Sequence, residues 1–197
     1  MILAAIPIKP FGVAKARLAP VLGQAERSRL GRAIAARTAG LAAAAGAEVV
    51  VVTADEGVAT WAKAKSIGVL REDPDLGGGL NGAAATAVRH ATDLGVRWAI
   101  VHADLPVAAE GDLRRVFDAA SRAAVIAPSY DGGTNAIGGG GDFPFAYGAG
   151  SYHRHLASSP EATVMTSPRL ALDLDTPADL MRARSSPSGR WLESVLG

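Results

Sequence analysis

The chain has 197 residues, of which 49% are hydrophobic and 20% are charged, and its formal net charge is +1. This balance excludes a disordered chain and argues against nucleic acid or an anionic membrane surface as the main partner. The sequence contains no Cys, which excludes a disulfide framework, a thiolate zinc site and a Cys nucleophile. No segment resembles a membrane span or a signal peptide, so we expect a cytoplasmic protein. The length favours a single domain over residues 1–197.

Buried strands alternate with helices along the chain. Short apolar runs predict strands at residues 2–8, 48–53, 68–71, 98–102, 123–127, 143–147 and 170–174. Helical patterns are found at 24–45, 56–66, 81–94, 112–121 and 151–157, and a last helix opens at Thr176-Pro177. Residues 129–142 have the composition of a Gly-rich loop. The alternation predicts an α/β fold with a mostly parallel sheet, in which ligands bind beyond the carboxyl ends of the strands.

Three cations follow directly on the first predicted strand. Lys9, Lys15 and Arg17 could converge on a polyphosphate, because Arg forms bidentate contacts with phosphate oxygens and Lys supplies a point charge. The spacing is not that of a Walker A loop. A solvated basic loop is the alternative interpretation.

Three Asp residues are candidates for a cation site. Asp104 follows the strand that contains His102, and a turn cap is its alternative role. Asp173 and Asp175 lie on one face of an extended segment, since alternate residues of a strand point the same way. Asp175 could instead cap the last helix. Together the three carboxylates suit Mg²⁺, which prefers oxygen ligands. His102 itself is more typical of a hydrogen-bonded core or edge residue.

Two glycine-rich segments could approach a ligand through their backbones. The first, residues 77–81, precedes a predicted helix for which Asn81 could be the N-cap, and helix N-termini favour anions. The second combines the hydroxyl groups of Thr134 and Ser151 with backbone N–H groups of residues 148–151, an arrangement suited to a small anion. A flexible loop and an ordinary Ser N-cap are the alternatives for the second segment.

The order of these motifs resembles the guanylyltransferase family of coenzyme F420 biosynthesis, which is called 2-phospho-L-lactate guanylyltransferase in archaea and phosphoenolpyruvate guanylyltransferase in actinobacteria. The resemblance extends from residue 6 to about residue 179 and is carried by IPIKPFGVAKARLAP, GGGLNGA, HADLP, GGTNAI, FAYGAGSYHRHL and LALDLDTPADL. It implies a doubly wound, GT-A-like nucleotidyltransferase fold. It also implies Mg²⁺-dependent transfer of GMP from GTP to a three-carbon phospho-acid, with release of pyrophosphate.

The resemblance assigns roles by matching motif. The implied metal ligands are Asp104, Asp173 and Asp175, and the implied acceptor-binding residues are Thr134, Gly148 and Ser151. The GTP phosphates would meet Lys9, Lys15 and Arg17, of which Lys15 and Arg17, with Asp104, would also act in catalysis. Guanine and ribose would face Gly78, Gly79, Leu80 and Asn81. A downstream transferase that takes up the labile product is the implied partner.

The sequence departs from the family pattern at three places and leaves alternatives open. Ala16 replaces a usual Ser or Thr, Gly82 interrupts an Ala-rich segment, and Gly138–Gly141 replaces apolar residues, which raises the question of how the acceptor pocket closes. The acceptor could be phosphoenolpyruvate, 2-phospho-L-lactate or 3-phosphoglycerate, and the composition favours phosphoenolpyruvate. Two other functions remain open. The chain could be another GT-A nucleotidyltransferase with a sugar phosphate or molybdopterin acceptor, or a non-catalytic nucleotide-binding subunit.

Overall fold

The structure is a computed structural model that describes residues 1–13 and 15–197. Within these residues there are seven strands: β1 (Ile2–Pro7), β2 (Glu48–Thr53), β3 (Gly68–Arg71), β4 (Arg97–Val101), β5 (Val125–Pro128), β6 (Thr134–Gly139) and β7 (Thr163–Val164). The same residues form seven α-helices: α1 (Gln24–Ala44), α2 (Glu56–Ala64), α3 (Gly79–Asp93), α4 (Glu110–Ala120), α5 (Ser151–Ser158), α6 (Pro177–Ser185) and α7 (Glu193–Leu196). Short 3₁₀ helices cover Ala16–Leu18, Pro74–Leu76 and Pro187–Leu192. None of the described helices is both long and apolar enough to cross a membrane.

The strands form a single mixed sheet in the order β3-β2-β1-β4-β6-β5-β7. All neighbouring strands are parallel except β6, which runs antiparallel to both β4 and β5. The order reverses at β1, which pairs with β2 on one side and β4 on the other. Such a reversal leaves a crevice at the carboxyl ends of the strands, where ligands bind in open α/β sheets.

Helices cover both faces of the sheet, which explains why the central strands are apolar throughout. Ile2 and Ala4 of β1 pack in one cluster with residues of α1 and α4. Leu3 and Ala5 point to the other face and pack with α3. The predicted doubly wound, mostly parallel α/β architecture is therefore confirmed.

The prediction of a loop over residues 129–142 is wrong for its centre, because β6 occupies Thr134–Gly139. Glycine is required there for close packing rather than for a turn. A Cβ added at Gly138 would lie 2.8 Å from the Cβ of Ala120 in α4 and 3.0 Å from the carbonyl oxygen of Trp98. Of the glycines at 138–141 that depart from the family pattern, Gly138 and Gly139 therefore belong to strand β6.

Two predicted strands are not formed. Residues 143–147 contain no strand, and the aromatic rings of Phe143 and Phe145 instead pack on Trp98, with centroids 6.0 and 5.5 Å away. Residue 170 lies in a turn, residue 171 in a bend, and residues 172–174 are irregular. Their backbone makes single hydrogen bonds rather than a ladder, such as Leu174 N–H to the carbonyl of Asp104 at 3.0 Å. The two-residue strand β7 has no counterpart among the predicted elements, since its exposed residues show no apolar run.

Two predicted helix caps are also corrected. Helix α3 begins at Gly79 with Gly78 as its N-cap, so Asn81 lies inside the first turn. The N-cap of α6 is Thr176, whose hydroxyl accepts from Asp179 N–H in a capping box. Capping therefore does not account for Asp175.

Candidate active site

A cavity of about 460 Å³ opens at the carboxyl ends of β1 and β4. The segments that follow these strands line one side, and the starts of α3 and α5, the start of β6 and residues 173 and 175 complete it. These segments are distant in sequence but meet because the strand ends share one edge of the sheet. The cavity lies where the strand order reverses, as expected for a ligand site in this architecture.

Lys15 lies between two of the predicted metal ligands. Its Nζ is 2.6 Å from Asp104 Oδ2 and 3.0 Å from Asp175 Oδ1, and its side chain is only 7% exposed. Burial alone would lower the pKa of Lys15, but the two carboxylates outweigh burial and raise it. Burial of Asp104 is likewise outweighed by Lys15, which lowers the pKa of that carboxyl. Lys15 is therefore a charged ammonium that joins the end of β4 to the segment before α6.

Asp173 also lines the cavity, and within residues 1–13 and 15–197 it forms no salt bridge. Its Oδ1 accepts a hydrogen bond from Asn135 Nδ2 at 3.3 Å, and the same amide group donates to the carbonyl of Leu170 at 2.9 Å. Burial, and then the negative charge of Asp104, raise the pKa of Asp173 to about 6. The cleft therefore holds more carboxylate than ammonium charge.

All three predicted carboxylates line the cleft, but they are not arranged as a finished metal site. Across residues 1–13 and 15–197, no group of three His, Cys, Asp or Glu side chains is close enough to hold an ion. The Lys15 ammonium takes the position between Asp104 and Asp175. The three Asp side chains offer only oxygen atoms as metal ligands, and a hard divalent cation prefers oxygen.

The predicted acceptor-binding residues do come together. Thr134 starts β6, Ser151 starts α5, and their hydroxyl oxygens are 3.3 Å apart at the wall of the cavity. Ser151 is the first residue of α5, and its N-cap is Gly150, in the left-handed region at φ 70°. The alternative of an ordinary Ser N-cap is therefore wrong. Gly148, also cavity-lining, has φ 123°, a conformation that favours glycine.

The predicted nucleotide-binding residues are only partly gathered. Lys9, Gly79 and Leu80 line the cavity together with Lys15. Arg17, Gly78 and Asn81 are exposed and are not among the described residues that line the cavity. Within the basic segment, Ala14 lies outside the described residues. The three cations of that segment therefore do not converge, because Lys15 is turned towards the carboxylates.

Asn81 has a contact that the sequence did not indicate. Its Oδ1 accepts from the backbone N–H of Tyr147 at 2.8 Å, which ties the start of α3 to the segment before α5. The nearby Gly82 departs from the family pattern for a steric reason. A Cβ at Gly82 would lie 2.1 Å from the carbonyl oxygen of Gly77, so the helix can approach the loop only with glycine at this position.

Sequence reasoning underrated His102 and missed Tyr147, which both line the cavity. Their rings are 5.5 Å apart. His102 Nε2 and Tyr147 Oη are buried, and neither has a hydrogen-bond partner within residues 1–13 and 15–197. Burial lowers the pKa of His102 and raises that of Tyr147, so both groups are neutral. The sequence signal was limited to the position of His102 at a strand end.

The chain matches the family model described as "Guanylyl transferase CofC like" over residues 2–184. It is 37% identical over 190 residues to a phosphoenolpyruvate guanylyltransferase of Chloroflexus aggregans, a match that covers 89% of this chain and 93% of the relative. It is also 33% identical over 183 residues to a 2-phospho-L-lactate guanylyltransferase of Methanothermobacter thermautotrophicus, with 90% and 81% covered.

The fold is similar to that of a crystal structure from Desulfovibrio desulfuricans G20, named for a nucleotide-diphospho-sugar transferase. The TM-score is 0.76 at 19% identity, with 99% of this chain and 96% of the other covered. At that identity the likeness concerns the fold alone, and it agrees with the GT-A-like nucleotidyltransferase architecture expected from the motifs.

Proposed function

The chain belongs to the CofC-like guanylyltransferase family, and from this premise we propose that it joins GMP from GTP to the phosphate of phosphoenolpyruvate. The products are enolpyruvyl-diphospho-guanosine and pyrophosphate, in coenzyme F420 biosynthesis. The observation that carries the proposal is the 37% identity to a phosphoenolpyruvate guanylyltransferase along 89% of the chain.

The reaction needs charge neutralisation more than proton transfer. The attacking group is a phosphate oxygen that is already anionic near neutral pH, so no strong general base is required. The barrier lies in bringing two polyanions together, since like charges 4 Å apart repel by about 4 kcal/mol at an intermediate dielectric. Positioned cations and an in-line approach to the α-phosphorus are the means by which such sites work.

Asp104, Asp173 and Asp175 are proposed to hold a divalent cation, and we propose Mg²⁺. Their chemistry fits, because all three offer carboxylate oxygens, and in the part of the chain that the structure describes Lys15 is the one ammonium bonded to them. The bound cation supplies positive charge against the phosphate groups. Lys15 holds Asp104 and Asp175 in place and adds a fixed positive charge beside them.

The acceptor and the nucleotide are proposed to bind side by side in the one cavity. Thr134, Gly148 and Ser151 would hold the phospho-acid through hydroxyl and backbone N–H donors. Lys9, Lys15 and Arg17 would face the GTP phosphates, which for the exposed Arg17 requires movement of its side chain. Gly78, Gly79, Leu80 and Asn81 would face guanine and ribose, at the N-terminus of α3.

The setting of the reaction follows from the same proposal. Residues 1–197 are proposed to act as one nucleotidyltransferase domain in the cytoplasm. The product is a mixed diphosphate that hydrolyses readily, so a transferase that takes it up is the proposed partner.

Pyrophosphate release tests the proposed function. The purified protein is incubated with GTP and Mg²⁺ and with phosphoenolpyruvate, 2-phospho-L-lactate or 3-phosphoglycerate, next to an acceptor-free control. We expect release with phosphoenolpyruvate and loss of release when the metal is chelated. Release with 2-phospho-L-lactate alone would make that compound the acceptor instead of phosphoenolpyruvate. No release with any of the three would refute the guanylyltransferase function.

A further inference from the structure

His155 is fully buried behind the acceptor pocket, and its ring nitrogens have different partners. Nδ1 lies 3.0 Å from Thr134 Oγ1, whereas Nε2 lies 2.9 Å from the backbone N of Ala146. The ring is enclosed by aromatic side chains, with centroids 5.7 Å from Phe143 and 4.8 Å from Tyr147. The motif FAYGAGSYHRHL contains this His, but the acceptor-binding assignment does not use it.

These partners fix where the ring carries its proton. A backbone N–H can only donate, so Nε2 must present its lone pair to Ala146. Burial, and then the positive charge of Arg154, lower the pKa of His155 to about 4, so the ring is neutral at pH 7. The single proton of the neutral ring is therefore on Nδ1, which donates to the hydroxyl oxygen of Thr134.

A count of hydroxyl protons shows what this tautomer does. Thr134 and Ser151 bring two hydroxyl protons, and one of them is used in the 3.3 Å bond between the two oxygens. With His155 as a donor, the second proton remains for a ligand in the cavity. With His155 as an acceptor, Thr134 would give its proton to the ring. The proton of Ser151 would then be used in the bond between the two oxygens. The pair would present only lone pairs to the cavity, and lone pairs repel an anion.

We propose that His155 is a positioning residue: its Nδ1–H group holds the Thr134–Ser151 hydroxyl pair as a net donor towards an anionic acceptor. The inference rests on the proposed function, because it assumes that the phospho-acid binds at Thr134 and Ser151. It adds the element that sets the polarity of that pocket. His155 acts through Thr134 and does not touch the substrate.

The first test observes the tautomer and does not depend on activity. Long-range ¹H–¹⁵N NMR spectra of the ¹⁵N-labelled full chain at pH 7 distinguish a protonated Nδ1 from a protonated Nε2, and the His155 signals are assigned by their loss in His155→Asn. We expect the proton on Nδ1. A proton on Nε2, or a doubly protonated ring, would overturn the inference.

The second test uses two amide replacements that each keep one of the two bonds. In His155→Asn the amide nitrogen takes the place of Nδ1 and still donates to Thr134. In His155→Gln the amide oxygen takes the place of Nε2 and still accepts from Ala146, but the donor to Thr134 is lost. Both variants lose the aromatic packing of the ring, so their difference isolates the donor. The exposed neighbour His153, changed to Gln, controls for changes on the same helix.

The readouts are the KM for phosphoenolpyruvate, the KM for GTP, kcat and the melting temperature of each variant. The change in the first is compared with the changes in the others. We expect the phosphoenolpyruvate KM of His155→Gln to exceed that of His155→Asn by about tenfold, the size of one hydrogen bond to a charged group. The two variants should share similar GTP KM values and melting temperatures. Equal phosphoenolpyruvate KM values, or the reverse order, would overturn the inference. Absence of turnover in the unmodified protein would instead refute the proposed function, and the NMR result would then decide the tautomer alone.

Discussion

The Lys15 ammonium is bonded to two carboxylates of the cleft, and its removal has a calculable effect. Lys15→Met keeps most of the length of the side chain but leaves the carboxylates of Asp104 and Asp175 facing each other without a cation. Breaking a buried ion pair by removing one partner costs roughly 3–5 kcal/mol. The lower end applies because Asp104 and Asp175 are 26% and 46% exposed. We therefore expect a loss of about 3 kcal/mol and a fall in melting temperature of roughly 6–12 °C for a chain of this size.

The assay is thermal unfolding followed by circular dichroism at pH 7 in a chelating buffer, with Lys63→Met on the exposed side of α2 as the matched control. In the double variant Lys15→Met/Asp104→Asn, removal of the unpaired charge should restore part of the lost stability. A Lys15→Met protein that melts within 2 °C of the unmodified chain, by the same roughly 3 °C per kcal/mol, would refute this reasoning. So would a double variant less stable than Lys15→Met.

The pH dependence of this contribution has a definite sign. The pKa of Lys15 is raised above its ordinary value of 10.5 in the folded state, so folding favours the protonated form. The stabilisation is fully present below the unfolded pKa and is lost as the pH rises through the higher folded pKa. The difference between the unmodified protein and Lys15→Met should therefore be constant near neutrality and shrink above pH 10.5.

Three further predictions concern the cleft and its supports. Asp173→Asn should lower kcat at least tenfold. In the unmodified protein, the affinity for Mg²⁺ measured by calorimetry should rise as the pH increases through about 6, because the Asp173 carboxyl loses its proton there. Asp112→Asn removes a fully buried carboxylate held by two Arg side chains. It should lower the unfolding free energy in urea by roughly 3 kcal/mol, the low end for a buried ion pair because both Arg side chains are about half exposed. The exposed Asp118→Asn on the same helix should change it little. Gly82→Ala should destabilise the protein and raise the GTP KM, because its Cβ would collide with the preceding loop, whereas Gly40→Ala, with open space around it, should be neutral or stabilising; equal melting temperatures for the two would contradict the steric argument.

The parallel core of the fold could be predicted from the sequence, because a strand buried on both faces must be apolar throughout. This holds for β1, β2 and β4, whose bounds agree with the predicted strands to within one residue. Strand β6 could not be predicted, since Gly138 and Gly139 have the composition of a turn. Gly138 is needed because α4 approaches the sheet at Ala120, which is a contact between segments distant in sequence.

The sequence predicted which residues belong to the candidate site but not which of their side chains bond to each other. Asp104 and Asp173 were expected in one cleft, because both lie at the carboxyl ends of predicted strands, although the strand predicted at 170–174 is not formed. That Lys15 would bond to Asp104, 89 residues away, depends on the path of the loop after β1. The role inferred for His155 depends on which ring nitrogen meets which partner, and a sequence carries no information on ring orientation.

The central claim is that GMP is joined to the phosphate of phosphoenolpyruvate, and ³¹P NMR of the reaction mixture tests it most directly. With GTP, Mg²⁺, phosphoenolpyruvate and the purified chain, the account predicts pyrophosphate together with a new unsymmetrical diphosphate, whose two phosphorus signals are coupled to each other. Disappearance of the phosphoenolpyruvate signal should match the appearance of this product. A mixture in which phosphoenolpyruvate stays unchanged, while GTP is intact or only hydrolysed, would contradict the account.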